Sequence, residues 1–114
     1  MVVSRKNAPH YVWGEVCEGW RRLDRPDLSV IEERIPPGRG EVWHHHTRAR
    51  QLFFLLTGTL DIEVDAAHTT LNTGDSFEVE PGSVHRVLNP GATDATFLVV
   101  SAPSTRGDRI DRET

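Results

Sequence analysis

The sequence is short of cysteine, of long apolar stretches and of basic excess, and each shortage closes off a class of function. Its one cysteine, Cys17, excludes an intrachain disulfide, and a lone thiol of this kind reads as a small packed hydrophobe. No apolar run approaches membrane-spanning length, and the opening stretch Met1–Pro9 lacks the apolar segment of a secretory leader. The expected location is the cytoplasm, with no membrane partner. Lys and Arg number 13 against 17 Asp and Glu, for a net charge of −4 with the bases scattered. That balance offers no footprint for nucleic acid and makes small molecules the expected partners. Long helical periodicity is missing, as is any internal repeat at roughly 20–50 residues.

What is present is punctuation. Pro26-Asp27, Pro36-Pro37-Gly38, Thr57-Gly58-Thr59, Asn72-Thr73-Gly74-Asp75, Pro81-Gly82 and Asn89-Pro90-Gly91 recur at the roughly 8–12-residue spacing of an all-β sandwich or barrel. Between them lie candidate strands at 28–35, 42–46, 51–56, 60–65, 69–71, 76–79, 84–88 and 95–101. Leu60, Ile62 and Val64 alternate with Asp61, Glu63 and Asp65, which predicts one buried and one wet face. Leu52–Leu56 and Phe97–Val100 are apolar on both faces, so their outer sides call for cover from a second copy of the chain. At 114 residues there is material for one core. The expected organisation is an N-terminal arm over residues 1–25, anchored by Trp13 and Trp20 and either wrapped on its own barrel or exchanged in a homodimer, a barrel over 26–103, and a polar solvated tail over 104–114.

Two clusters carry the chemistry. In the first, Gly38 precedes His44 and His46, then Gln51, then Gly58; in the second, Gly74 and Gly82 precede His85 and Asn89. Side chains alternate along a strand, so His44 and His46 share one face while Trp43 and His45 take the other. Gln51 opens the next apolar run and His85 a later one, so both can converge on the same point. Three imidazoles and one amide oxygen form a closed set of ligands for one divalent metal ion. Imidazole-rich coordination suits Zn or Ni first, then Fe, with Mn preferring more carboxylate.

These two clusters resemble the paired motifs of the cupin family, with Gln51 where the family usually has Glu, and with Glu80 at the usual proline position and Pro81 one place later. The resemblance implies an all-β, single-domain cupin barrel, a double-stranded β-helix or jelly roll, with His44, His46, Gln51 and His85 on the metal. It does not fix a reaction, because one fold hosts many. A neutral amide in place of a carboxylate leaves the ion's full charge uncancelled, which favours Lewis-acid work over oxygen chemistry. Two cupin groups with a Gln ligand are similar: one linearises an unsaturated uronate in pectin catabolism, the other cyclises aromatic polyketides. In the first, an acid and an Arg near the end of the last strand assist. Here Phe97–Pro103 holds no carboxylate, and Arg106 stands where the Arg would.

The function expected is metal-assisted isomerisation, cyclisation or lyase chemistry on a small oxygenated, anionic molecule. Arg48 or Arg50 and Arg106 are the candidate anion-binding residues, and Phe53, Phe77 and Val87 the candidate apolar pocket lining. Two alternatives are a non-catalytic binding or sensing barrel and an Fe-dependent dioxygenase. The first alternative draws on the lack, at this level, of an Asp or Glu aimed inward beside the ligands.

Overall fold

The computed structural model describes residues 1–113 and contains, among them, eleven strands and no helix. The strands are β1 (His10–Trp13), β2 (Cys17–Asp24), β3 (Ser29–Ile35), β4 (His44–His46), β5 (Arg50–Thr57), β6 (Leu60–Val64), β7 (Ala67–Leu71), β8 (Ser76–Val79), β9 (His85–Leu88), β10 (Ala95–Ala102) and β11 (Arg109–Asp111). They form two antiparallel sheets, β1-β2-β3-β10-β5-β8 and β11-β4-β9-β6-β7. No helix is long and apolar enough to cross a membrane.

The inner faces of the two sheets pack on each other because the strands obey the two-residue alternation. Ile35, Leu55 and Phe97 from the larger sheet meet Leu60, Ile62 and Val87 from the smaller, and all six are fully buried. On β6 the expected wet face is drier than its composition suggests. Asp61 is buried beneath Thr70, whose hydroxyl donates to it at 2.8 Å, and beside His68 at 2.9 Å.

Several motif residues prove to be structural. Asn89 is buried; its side-chain amide donates to Ile35 O and Thr93 O at 2.8 Å each, and its oxygen accepts from Gly91 N at 2.9 Å. Its backbone carbonyl accepts from Gly38 N at 3.0 Å, so the ends of the two motifs are stitched together. Gly58 sits at φ 84°, and a Cβ there would lie 2.5 Å from the Asp94 carbonyl oxygen. Only glycine fits that turn.

Both ends of the chain depart from expectation. The segment read as an arm is continuous with the larger sheet: β1 pairs with β2 and β2 with β3. Two of its aromatics take opposite faces. Trp20 looks outward under the Arg5 guanidinium, 4.1 Å above its ring, whereas Tyr11 leans inward over Gly19, where a Cβ would lie 2.3 Å from the phenol ring. The segment read as a solvated tail is also corrected. Ser104 and Asp108 are buried, and β11 pairs with β4 in register Arg109 to His46 and Asp111 to His44. Thr114 lies outside the described residues. Charge without apolar periodicity misled here because a three-residue edge strand is held by backbone pairing and by one buried carboxylate, neither of which leaves a hydrophobic pattern.

Candidate metal centre

β4 presents His44 and His46 on its inner face, and β9 lies beside it with His85 directly opposite His44. The ring centroids are 4.3 Å apart for His44 and His85, 5.1 Å for His44 and His46, and 5.9 Å for His46 and His85. One ring nitrogen from each lies within 4.8 Å of the other two, so the triad can hold a metal ion. All three residues are buried. His45 turns to the other face of β4, as the alternation requires.

The backbone sets the ring orientation. His44 Nδ1–H donates to Val42 O at 2.9 Å and His85 Nδ1–H donates to Ser83 O at 2.8 Å, which leaves each Nε2 with a lone pair. A carbonyl holding the distal nitrogen is the usual support of a ligating histidine. His85 Nε2 has no hydrogen-bond partner. Burial lowers the pKa of all three imidazoles, to about 4 for His44 and for His46. They stand neutral at physiological pH, the form that binds metal.

Gln51 enters from β5, opposite Ser101 of β10. Its amide nitrogen donates to Ser101 Oγ at 3.2 Å, and its oxygen Oε1 is buried with no partner. An orphaned buried carbonyl is costly unless something occupies it. A divalent cation fits that vacancy of partners, so the donor set suits the metal.

The cavity facing this set has a volume of about 240 Å³ and holds residues the sequence reading missed. Tyr11, Glu33, Glu41 and Arg109 line it together with His44, His46, Gln51 and Phe53. Glu41 Oε2 lies 3.7 Å from His44 Nε2 and 3.5 Å from Arg109 Nη1, and its Oε1 accepts from Val87 N at 3.2 Å. Glu33 opens on the cavity against the Tyr11 phenol. Burial, and then the negative charge of Glu41, pushes Glu33 well above the carboxylate range; burial raises Glu41 as well. Burial likewise raises Tyr11. Two acids thus stand beside the ligands, which corrects the expectation that none is aimed inward. The signal was in β3: Ile31, Glu33 and Ile35 alternate onto one inner face, and an acid in such a row marks a cavity.

The remaining candidates separate. Phe53 lines the cavity, with its ring 6.2 Å from that of His85. Phe77 and Val87 pack in the core and do not line it, because the space between the sheets at their level is filled by side chains. Arg106 reaches the rim, whereas Arg48 lies outside the cavity in an adjoining one. Arg50 turns to the outer sheet face and pairs with Glu78 at 2.5 Å.

The cupin-domain family profile matches residues 31–101, more than half of the chain. Comparison with curated proteins returns no match. Among solved structures, a protein with a double-stranded β-helix domain from Klebsiella pneumoniae subsp. pneumoniae is 21% identical, with 99% of this chain and 97% of that one covered and a TM-score of 0.82. A predicted oxalate decarboxylase from Thermotoga maritima is 20% identical, with 91% and 100% covered and a TM-score of 0.82. A sugar phosphate isomerase of the cupin superfamily from Silicibacter pomeroyi is 19% identical, with 91% and 76% covered and a TM-score of 0.77. Likeness at these identities is likeness of fold. The matched span contains His44, His46, Gln51, His85 and both glycine-bounded motifs, and the chain belongs to the cupin family.

Proposed function

We propose that the protein is a metal-dependent isomerase, cyclase or lyase acting on a small oxygenated anion, with His44, His46, Gln51 and His85 as the ligands of one divalent ion. Zn and Ni suit the set best, with Fe and Mn as further candidates. The observation that carries the reading is the meeting of three neutral imidazoles, two of them tethered to backbone carbonyls, and an unpartnered amide oxygen with two carboxylates raised by burial.

When bound, such an ion polarises a carbonyl or carboxylate oxygen of the substrate. The protein residues supply the rest. Burial raises both Glu33 and Glu41, and the charge of Glu41 raises Glu33 further, so the cavity holds two carboxyl groups suited to taking and returning a proton. In its ionised form Glu33 takes the proton from the carbon next to the substrate carbonyl; the C–H electron pair forms the new carbon–carbon double bond and the C=O π pair moves onto the carbonyl oxygen, giving an enolate. Return of that proton to a different atom gives an isomer; departure of a group from the next carbon gives a lyase product. Tyr11 holds the Glu33 carboxyl in place. Arg21, Arg106 and Arg109 line the cavity and select for negative charge.

The presence of these acids weighs against a purely binding role, whose main support was their expected absence. The test is a screen of hydroxy and keto acids and unsaturated uronates with metal-loaded protein, followed by Glu33→Gln on any hit. Turnover lost with metal content retained supports the proposal. Metal-dependent binding without turnover of any of them returns the binding-module reading, and oxygen consumption on Fe loading returns the dioxygenase.

In the cell we propose a cytoplasmic homodimer. On the outer face of the larger sheet, Leu52 and Phe54 are 40% and 36% exposed and stand opposite Val100 and Leu98 of the neighbouring strand. Residues 1–8 lie against the neighbouring β2–β3 part of that face, where Arg5 and Arg22 close on Glu32 and Arg22 donates to Val3 O. The apolar remainder fits the same strip on a second copy.

A further inference from the structure

Outside the metal cavity lies a second concavity of about 390 Å³, lined by Pro26 and Pro103, by Arg25, Arg48 and Arg106, and by Asp24 and Ser104. Arg106 lines both spaces, so the two adjoin. We propose that this outer pocket is an anion subsite that holds a terminal phosphate or carboxylate of the molecule whose other end lies at the His44–His46–His85 triad. Its assignment to the substrate tail rests on the catalytic reading above; the anion site by itself does not.

Three features separate this cluster from ordinary solvated arginines. First, the guanidiniums come from three segments: the turn after β2, the β4–β5 connection and the chain beyond β10. Second, each segment is anchored by backbone bonds. Arg25 lies in a closed turn, with Arg25 N donating to Leu28 O at 3.0 Å and Leu28 N to Arg25 O at 3.3 Å; Ser104 N donates to Pro26 O at 3.0 Å across the pocket floor. Beneath Arg48, buried Asp108 accepts from Thr47 N, Arg48 N and Ala49 N at 2.9–3.2 Å. Third, the charges are only partly cancelled. Arg106 spends Nε and Nη2 on Asp24, at 3.2 and 2.5 Å, which leaves its Nη1 free. Arg48 Nε reaches only 3.6 Å from Asp108, whose oxygens are already engaged, and Arg25 acts on its neighbour Asp24 by charge without closing on it as an ion pair. The three arginines around this concavity outnumber the one carboxylate, Asp24, that lines it with them, and each guanidinium can present two parallel donors to a phosphate or carboxylate. The ligand class that follows is a small hydroxy or keto acid with a second anionic group at its far end.

The test uses ¹⁵N-labelled full-length protein stripped of metal, titrated at fixed ionic strength with inorganic phosphate and, separately, with malonate. Saturable amide shifts are expected at Arg25, Arg48, Ser104 and Arg106. The R25Q/R48Q double variant should weaken binding at least fivefold, while Lys6→Gln leaves it unchanged. Arg25→Gln alone removes no internal ion pair, so a smaller loss in that variant guards against misfolding of the double one. Shifts with phosphate alone assign the tail to organic phosphates; shifts with both probes admit dicarboxylates. Equal affinity in wild type and R25Q/R48Q, or shifts confined to the triad, overturns the subsite. Because the titration is done without metal, a failure of the metal reading leaves its outcome intact.

Discussion

The Gln51 side-chain amide donates to Ser101 Oγ at 3.2 Å, and this bond points Gln51 Oε1 away from Ser101 with no other acceptor role to fill. The hydroxyl therefore acts as the support of a neutral ligand. Ser101→Ala removes the support and should loosen divalent metal by about tenfold, the lower end of the range for outer partners of metal ligands. Gln51→Glu adds negative charge, so it should tighten the metal and move preference toward Mn or Fe while turnover falls. Calorimetric metal titration of both variants decides it. Unchanged metal affinity and preference in Gln51→Glu and Gln51→Ala alike would remove Gln51 from the ligand set.

Glu33 and Tyr11 make a second pair with opposite expectations for structure and activity. Gly19→Ala would drive a methyl into the Tyr11 ring and push the phenol off Glu33. Glu33→Gln keeps the shape and removes the proton. Both should lower turnover, by about a hundredfold or more for Glu33→Gln, within the usual contribution of general acid–base catalysis. Metal content should stay at the wild-type level in both. Steady-state rates set beside elemental analysis make the check; metal lost together with rate would mean these residues serve the ligands.

The eight strands from β3 to β10 were legible because buried faces impose a period of two and because glycine and proline punctuate the turns between them. The triad was legible for the same reason: His44 and His46 share a face by alternation alone. Glu33 and Glu41 were not, since one lies in a strand read for its apolar residues and the other in an irregular stretch where no period tells the direction of a side chain. β1 and β2 were hidden by Gly14, Gly19 and the charged outer face of Arg22 and Asp24. Phe77 and Val87 were misplaced because an aromatic or branched residue in a small barrel serves core and cavity equally well in the sequence. Asp108 was hidden in a run of mixed charge, although three backbone N–H groups depend on it.

That dependence gives a stability prediction. Burial alone would raise Asp108, but the N–H donors of Ala49, Arg48 and Thr47 outweigh it and hold the carboxyl below its ordinary range. A depressed pKa in the folded state adds stability above the unfolded value, near about 4, and that stability is lost as pH falls through the folded value. Asp108→Ala should cost about 1.5–3 kcal/mol at pH 7, the range for hydrogen bonds to a charged group. The gap between variant and wild type should close as pH falls below about 4. Urea unfolding at pH 7 and at pH 3 measures both; a gap that persisted undiminished at pH 3 would show that the charge is not the cause.

The outer strip of Leu52, Phe54, Leu98 and Val100 sets the last prediction. Side chains from two adjacent strands make it continuous, since Phe54 pairs with Leu98 and Leu52 with Val100. At one edge the exposed Arg50–Glu78 pair supplies both signs of charge, so a second copy related by a two-fold axis can set arginine against glutamate as the apolar strips meet. The protein should scatter light as a dimer at micromolar concentration. Phe54→Asp places a charge in the middle of the strip and should return the mass to 12.8 kDa without unfolding, because residue 54 points away from the core. Metal content in that variant should remain at the wild-type level, since the triad and Gln51 face the opposite side of the sheet. A wild-type mass of 12.8 kDa at micromolar concentration removes the dimer.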